Sequence, residues 1–478
     1  MLFNSFEFLL FFPIVTVLYF IVPHRFRWLH LLVASCVFYM FFIPVYILIL
    51  FFTIIIDYVA GILIERSNGI LRKRYLLMSL VANIGVLAVF KYFNFFIGNV
   101  NTIFLHFHIL PREIPLLNII LPIGLSFHTF QAMSYTIEVY RGNQKAEHHF
   151  GIYSLYVMFY PQLVAGPIER PQNLLPQFRE VHHIDYDRMV GGIGILLWGL
   201  FKKVVIADRV AIMVNIVYTH PADYRGITTI LTMVLFSIQI YCDFSGYSDM
   251  AIGSARVMGF KLMRNFSMPY ASRSIAEFWT RWHISLSTWF KDYLYIPLGG
   301  NKVSKGRWRI NIMIVFMISG LWHGANWTFL IWGLIHGAFI IISAGLKHQS
   351  HISSKHPQRK KHRLHTFVNI LTTFTIVTVA WVFFRAKTIS DAAMMLKNSL
   401  KLFPLTTTVI LQGGFGILSL IISSAAILFL FIVEHKTKDR YELFEKKSQY
   451  TWAFHAVLLL LIVTMGIFDH QSFIYFQF

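Results

Sequence analysis

About a dozen stretches of this sequence are apolar over close to the roughly 20 residues an α-helix needs to cross a bilayer, and that repetition constrains the fold more than any other feature. The stretches are 3–22, 29–43, 45–64, 75–97, 118–140, 190–218, 226–255, 309–326, 327–346, 366–384, 411–433 and 450–468. They predict an all-α, polytopic integral membrane protein with 11–13 transmembrane helices. Composition agrees: 56% of the 478 residues are hydrophobic and 13% are charged, where a soluble domain carries about 25% charged.

Residues 150–168 are apolar but broken by Pro161, Gly166 and Pro167. They read as a re-entrant or surface-lying piece, which survives at membrane depth only when protein or a wet cavity satisfies its backbone. Met1 to Val22 lacks a basic leading region, carries Glu7 and shows no small-residue cleavage site, so it is expected to stay as the first span. Cys36 and Cys242 both lie in apolar runs and read as small buried hydrophobes.

The formal net charge of +20 does not point to nucleic acid. The basic residues sit in short loops between apolar runs, as they do when positive loops are held on the cytoplasmic side. Segment 65–74 carries Arg66, Arg72, Lys73 and Arg74 against Glu65, and segment 347–365 carries Lys347, Lys355, Arg359, Lys360, Lys361 and Arg363 with no acid. Both are expected in the cytoplasm, along with the turn at His24, Arg25 and Arg27; both termini then fall outside. The long segment 256–308 is cytoplasmic in this topology. Within it Ile275, Phe278, Trp279, Trp282, Leu286 and Trp289 recur at helical spacing. They predict an amphipathic helix lying in the interface, with Arg281 and Lys291 at its polar edge. No repeat or soluble domain interrupts the chain, so 1–478 reads as a single membrane domain.

Ionisable groups inside spans are costly, and each is a functional candidate: Asp57, His128, Glu138, Asp243, Asp249, His323 and His336. His323 stands in Ser319-Gly320-Leu321-Trp322-His323-Gly324-Ala325-Asn326-Trp327. Glycines on both sides let a backbone or a substrate approach, and Asn326, one turn on, would share a face with the imidazole. Such a histidine suits general-base work on a hydroxyl. It equally suits helix packing, with Gly320 and Gly324 in a GxxxG-type contact. His283, in Phe278-Trp279-Thr280-Arg281-Trp282-His283-Ile284-Ser285-Leu286-Ser287, sits at the edge of the apolar stripe and reads most simply as an interfacial polar residue. His128, His336 and Asp243 read as satisfied core groups, the last through neighbouring hydroxyls. Neither metal-ligand spacing nor a P-loop or dinucleotide fingerprint occurs, so no tightly bound cofactor is expected.

The segment from Glu277 to Ser287, followed by Asp292-Tyr293-Leu294-Tyr295-Ile296-Pro297-Leu298-Gly299-Gly300-Asn301, resembles the signature of bacterial membrane-bound O-acyltransferases. Ser319 to Asn326 resembles the second signature of that family, which holds its invariant histidine; the two blocks fall at about 274–301 and 319–337. Gly166-Pro167-Ile168-Glu169-Arg170-Pro171, Trp381-Val382-Phe383-Phe384-Arg385-Ala386 and the terminal Phe473 to Phe478 resemble further blocks of the alginate O-acetyltransferase branch. The resemblance implies a helical ring around a thin centre with a cytoplasmic funnel. His323 would be the central histidine and His283 the upstream one, with Trp322, Asn326 and Asp292 lining the passage.

It further implies transfer of an acetyl group from a cytoplasmic thioester such as acetyl-CoA to a hydroxyl outside. An extracytoplasmic acetyltransferase partner and a polysaccharide acceptor would complete the system in the lipid of a bacterial inner membrane. D-alanyl transfer to teichoic acid and peptidoglycan O-acetylation share the blocks and remain alternatives. A transporter of small anions or lipid-linked sugars is the alternative from another class, although no inverted repeat is evident.

Overall fold

The computed structural model describes residues 1–108, 113–164, 166–353, 363–401, 416–437, 441, 444, 449–468 and 474, and every described regular element is helical. Most of the basic segment 347–365, and the terminal Phe473 to Phe478 apart from Ile474, lie outside the residues whose side chains are described. The chain divides into two compact units, Met1–Leu196 with Met250–Met263, and Leu197–Asp249 with Arg264–Phe478.

The first unit begins with α1 (Phe6–Ile21), α2 (His24–Met40), α3 (Ile47–Arg66) and α4 (Gly69–Leu87). Ser5 caps α1 by accepting from the Phe8 amide. A π-helical turn at Ala88–Tyr92 leads into α5 (Phe93–His106). The apolar stretch expected at 118–140 becomes helical only at α6 (Leu125–Arg141), because Pro122 and the left-handed Gly124 delay its start. The broken segment appears as α7 (Phe150–Met158) and α8 (Tyr160–Leu163), buried from Gly151 to Leu163, so protein covers the irregular backbone as expected. Then come α9 (Pro171–Gln177) and the start of α10 (Tyr186–Leu200).

Asp57 of α3 is fully buried, and its carboxylate accepts from the Ser79 hydroxyl at 2.6 Å and from the Asn83 amide at 2.9 Å. His128 is a buried core histidine that bonds to Thr53 through Nε2 at 3.1 Å, while its Nδ1 has no partner among the described residues. Glu138 meets Arg141, Asn143 and Gln172. These intramembrane candidates therefore act as packing groups that tie helices together.

The second unit holds the end of α10, a π-helical segment at Phe201–Ala207, α11 (Asp208–Thr219) and most of α12 (Ile227–Met258). After Arg264 follow α13 (Ile275–Arg281), α14 (Ile284–Phe290), a π-helical turn at Lys291–Tyr295, α15 (Lys305–His323), α16 (Trp327–Ser353), α17 (Arg363–Arg385), α18 (Ile389–Ser399), α19 (Ile417–Lys436) and α20 (Gln449–Met465). Large apolar side chains such as Leu418, at 70% exposure, and Leu428, at 61%, face outward from α19, as lipid-facing positions do.

Among the described residues, seven helices are long and apolar enough to span a bilayer, and α1 and the 451–465 portion of α20 are shorter apolar helices. The other expected crossings are helical too. They are shorter or more polar: α2 and α6 have 17 residues each, about 26 Å at 1.5 Å per residue, and α15 opens with Lys305, Arg307 and Arg309.

The interior of the second unit carries a cluster of charges that the apolar pattern concealed. Lys202 pairs with Asp249 at 2.6 Å and also donates to Ser245 at 2.8 Å. Lys203 pairs with Asp208 at 2.8 Å and with Asp243 at 2.6 Å. Asp243 thus pairs with an ammonium and accepts a hydrogen bond from the Ile474 amide at 2.7 Å, in place of the expected hydroxyl partners. The π-helical segment alters the angle between successive side chains, which lets both consecutive lysines reach buried acids.

Candidate functional site

The expected continuous helix over 275–289 is interrupted at Trp282 and His283. Trp282 is extended, and His283 adopts φ 43°, a left-handed conformation that non-glycine residues seldom take. Asn265 holds the break open: its carbonyl accepts from the Ile284 amide at 2.9 Å, and its side-chain oxygen accepts from the Ser285 hydroxyl at 2.9 Å. Backbone strain maintained by a buried bond of this kind is typical of functional positions. The break also turns the tryptophans inward. Trp282 is 1% exposed and Trp289 5%, so they pack within the unit instead of anchoring in lipid headgroups.

His283 itself is fully buried, not interfacial. Its ring lies 4.6 Å from Phe244, 6.1 Å from Trp322 and 6.5 Å from His323 between centroids. Burial pushes its imidazole down to about 3, so the ring is neutral near pH 7.

His323 is the last residue of α15, and Gly324 beyond it is extended. The imidazole is packed against Trp322 at 4.9 Å, Trp332 at 5.0 Å and Phe384 at 5.3 Å. Close approach of α15 and α16 sets this wall. A Cβ on Gly320 would stand 2.3 Å from the Phe329 carbonyl oxygen, and one on Gly333 would stand 2.2 Å from that of Phe316. The small-residue contact is therefore Gly320 against α16 and Gly333 against α15, with Gly324 abutting the Phe329 ring.

The sequence candidates separate. His283, His323 and Trp322 share one dry aromatic basin. Asn326 does not share a helix face with His323, because the helix has already ended; its side chain caps α16 through the Thr328 amide at 3.1 Å and donates to the Lys387 carbonyl at 3.0 Å. Asp292 sits half-exposed in the π-helical turn after α14. His336 accepts at Nδ1 from the Trp279 indole at 3.3 Å.

Three contributors escaped the sequence reading. Phe244 stands beside Asp243, whose carboxylate is the conspicuous group there, and Trp332 falls inside the second block, 319–337, with no local pattern to distinguish it. Asn265 carries no sequence signal at all. Trp381 and Phe384 did lie in a recognised block, and they pack on Trp332 at 5.7 Å and 5.3 Å.

A cavity of about 350 Å³ lies beside this basin, lined by Trp279, Ile284, Phe290, Lys291, Phe316 and Ser319 among others. Ser319 is one helical turn from His323 on α15. An imidazole walled by aromatic rings, next to an apolar cavity, can accept a proton from a hydroxyl and shield a reactive thioester.

Known proteins provide the comparison. The chain is 39% identical over 398 residues to a protein of Pseudomonas aeruginosa named probable alginate O-acetylase, covering 83% of this chain and 74% of that relative. It is 37% identical over 398 residues to the peptidoglycan O-acetyltransferase of Helicobacter pylori, covering 77% and 73%. To the teichoic acid D-alanyltransferase of Bacillus subtilis it is 27% identical over 281 residues, covering 56% and 70%. The family description that matches residues 16–384 is MBOAT, membrane-bound O-acyltransferase. With the match spanning well over half of its length, this multi-pass membrane chain belongs to the membrane-bound O-acyltransferase family and is an acyltransferase.

Proposed function

We propose that this protein transfers an acetyl group from a cytoplasmic thioester, acetyl-CoA, to a hydroxyl on the far side of a bacterial inner membrane, in the O-acetylation of a cell-surface polysaccharide of the alginate type. The observation that carries the reading is the pairing of His283 and His323, with ring centroids 6.5 Å apart in a basin walled by Trp322, Trp332 and Phe384. Relatives named as O-acetylases at 37–39% identity support the acetyl group and a polymeric acceptor.

In the mechanism, His323 accepts the proton of the incoming hydroxyl as its oxygen attacks the thioester carbonyl carbon. The tetrahedral intermediate collapses by breaking the carbon–sulfur bond. The departing thiolate recovers the proton from the imidazolium, leaving an O-acetyl ester and a free thiol. His283, neutral and buried, orients the reacting groups from the opposite side, and Trp322 walls the passage. Asp292 lines the donor's approach, while Asn326 shapes the outer end through its cap on α16. A narrow, dry passage contributes by proximity and by reduced solvent reorganisation. The acceptor is a hydroxyl of an extracytoplasmic partner protein that passes the acetyl group to the polysaccharide.

The test uses membranes containing wild type or His323→Ala at equal expression, labelled acetyl-CoA and the native envelope fraction. Wild type should consume the thioester and label the envelope, and His323→Ala should fall by about 10²–10⁴-fold, the range for a lost general base. Equal consumption by the two proteins refutes the role of His323. Label appearing in peptidoglycan instead of exopolysaccharide would move the acceptor to the class named for the Helicobacter relative.

A further inference from the structure

Trp332 and His336, four residues apart on one face of α16, meet Trp381 of α17 in a closed set of rings. The centroids are 5.0 Å apart for Trp332 and His336, 5.7 Å for the stacked Trp332 and Trp381, and 6.3 Å for His336 and Trp381. All three side chains are fully buried. Because the Trp279 indole donates to His336 Nδ1, the proton of the neutral His336 ring resides on Nε2. His336 Nε2, Trp332 Nε1 and Trp381 Nε1 are three N–H donors, and among the described residues none has a hydrogen-bond acceptor.

Buried donors are almost always satisfied, so three neighbouring exceptions demand a reason. The surrounding rings are apolar: Phe278 and Phe316 stack on His336, and Phe384 packs on Trp332. A donor-only site of this kind suits an oxygen that is neutral on arrival and gains negative charge afterwards. A carboxylate or phosphate would instead bring a full charge into a site where these three rings offer no cation to meet it. Trp332 also touches the His323 ring edge-on at 5.0 Å, so an oxygen held here lies beside the group assigned as base.

We propose that the N–H groups of Trp332, His336 and Trp381 form the oxyanion site of the transfer, holding the carbonyl oxygen of the acyl group. This rests on the acetyl-transfer reading above. As the acceptor oxygen bonds to the carbonyl carbon, the C=O π pair moves onto the carbonyl oxygen and is held there by the three donors. When the carbon–sulfur bond breaks, that pair re-forms the C=O and the thiolate leaves with the proton held by His323.

The test removes single N–H groups while keeping each ring. Trp332→Phe and Trp381→Phe are the first variants. Replacement of either tryptophan by its benzothiophene isostere, through a reassigned codon, keeps the full ring volume if phenylalanine unfolds the protein. Acetyl transfer in membranes is measured for kcat and for donor KM alongside the melting temperature. The expected result is a kcat lowered about 10²–10³-fold per donor removed, as for other oxyanion donors, with KM and melting unchanged for the isosteres. Isosteres that turn over like wild type overturn the proposal, as do variants that raise KM while keeping kcat. If His323→Ala is inactive while the isosteres are fully active, the oxyanion assignment fails and the acetyl-transfer reading stands. If wild type transfers no acetyl group, both fall together.

Discussion

The spacing of α15 and α16 sets where His323 points, and two glycines set that spacing. Replacing Gly320 by alanine puts a methyl carbon 2.3 Å from the Phe329 carbonyl oxygen, where real contacts stay beyond 3.0 Å. The backbones must therefore separate by at least about 0.7 Å, the difference between those two distances, since a main-chain oxygen cannot swing aside. Gly333→Ala forces a similar retreat from Phe316 at 2.2 Å. His323 lies one turn beyond Gly320 and contacts Trp332, next to Gly333, so the shift falls on the basin itself. Overpacking of this kind costs about 1–3 kcal/mol, and a displacement approaching 1 Å lowers a positioned reaction by about 10²-fold. Gly337→Ala is the internal control. Its methyl would meet the flexible Met313 sulfur at 3.0 Å and the Phe316 Cβ at 3.3 Å, with no main-chain atom in the way, so a much smaller loss than for Gly320→Ala is expected. Gly85→Ala on α4, with nothing within 4 Å, should gain about 0.5–1 kcal/mol from helix propensity. Melting in detergent and labelled acetyl transfer at equal protein report both effects. A Gly320→Ala protein that melts and turns over like wild type would refute the argument that helix contact fixes the site.

Removing one partner of the buried Lys202–Asp249 pair by Lys202→Met should cost about 3–5 kcal/mol in thermal unfolding, and adding Asp249→Leu should recover part of it; an unchanged single variant would mean the pair is not buried as described. His283→Asn keeps a residue that tolerates the left-handed backbone, so the protein should melt like wild type while acetyl transfer drops about 10²-fold; full activity would reduce His283 to packing. Glu169, buried and bonded to Asn173 at 2.6 Å, has its carboxyl pushed by burial from 4.5 up to about 7. The folded state then holds a proton that the unfolded chain releases, so this stabilisation is complete below pH 4.5 and is lost as pH rises through about 7. Wild type should accordingly lose melting temperature between about pH 5 and pH 8, and Glu169→Gln should flatten that slope; parallel slopes would show that Glu169 is ionised throughout.

The helices were legible because lipid and protein interiors both reward continuous apolar runs: 190–218 and 226–255 reappear almost residue for residue in α10–α11 and α12. That same pattern hid Lys202 and Lys203. Both lie inside the run 190–218, and only their acids, 5 to 47 residues away in sequence, make burial affordable. The periodicity over 275–289 was sound, yet the chain breaks there because Asn265, ten residues before Ile275, supplies bonds that a local pattern cannot reveal. Asn326 failed for the converse reason. Its spacing from His323 assumed an unbroken helix, and the extended Gly324 ends that helix first. Resemblance, by contrast, pointed to His283, His323 and Trp322, which do converge; spacing alone had left His283 at an interface.

Both histidines stand where a helix stops. His283 occupies the left-handed hinge before α14, and His323 is the final residue of α15. Inside a continuous helix each imidazole would be confined to one face by the helical repeat. At a break the side chain is directed by the chain reversal, which lets residues 40 positions apart bring their rings to 6.5 Å. The location also matters electrically under the proposed mechanism. An imidazolium formed on His323 during proton transfer sits at the C-terminal end of α15, where the helix dipole favours a cation. The aromatic basin disfavours any lasting charge, so the cation is supported only while the departing thiolate is there to collect its proton. His283 lies between two helix ends, just after α13 and before the first turn of α14, so the opposing dipoles offset and burial is what keeps the ring neutral. Under the proposed mechanism His323, at the end of α15, takes the proton briefly, while burial keeps His283 a neutral partner throughout.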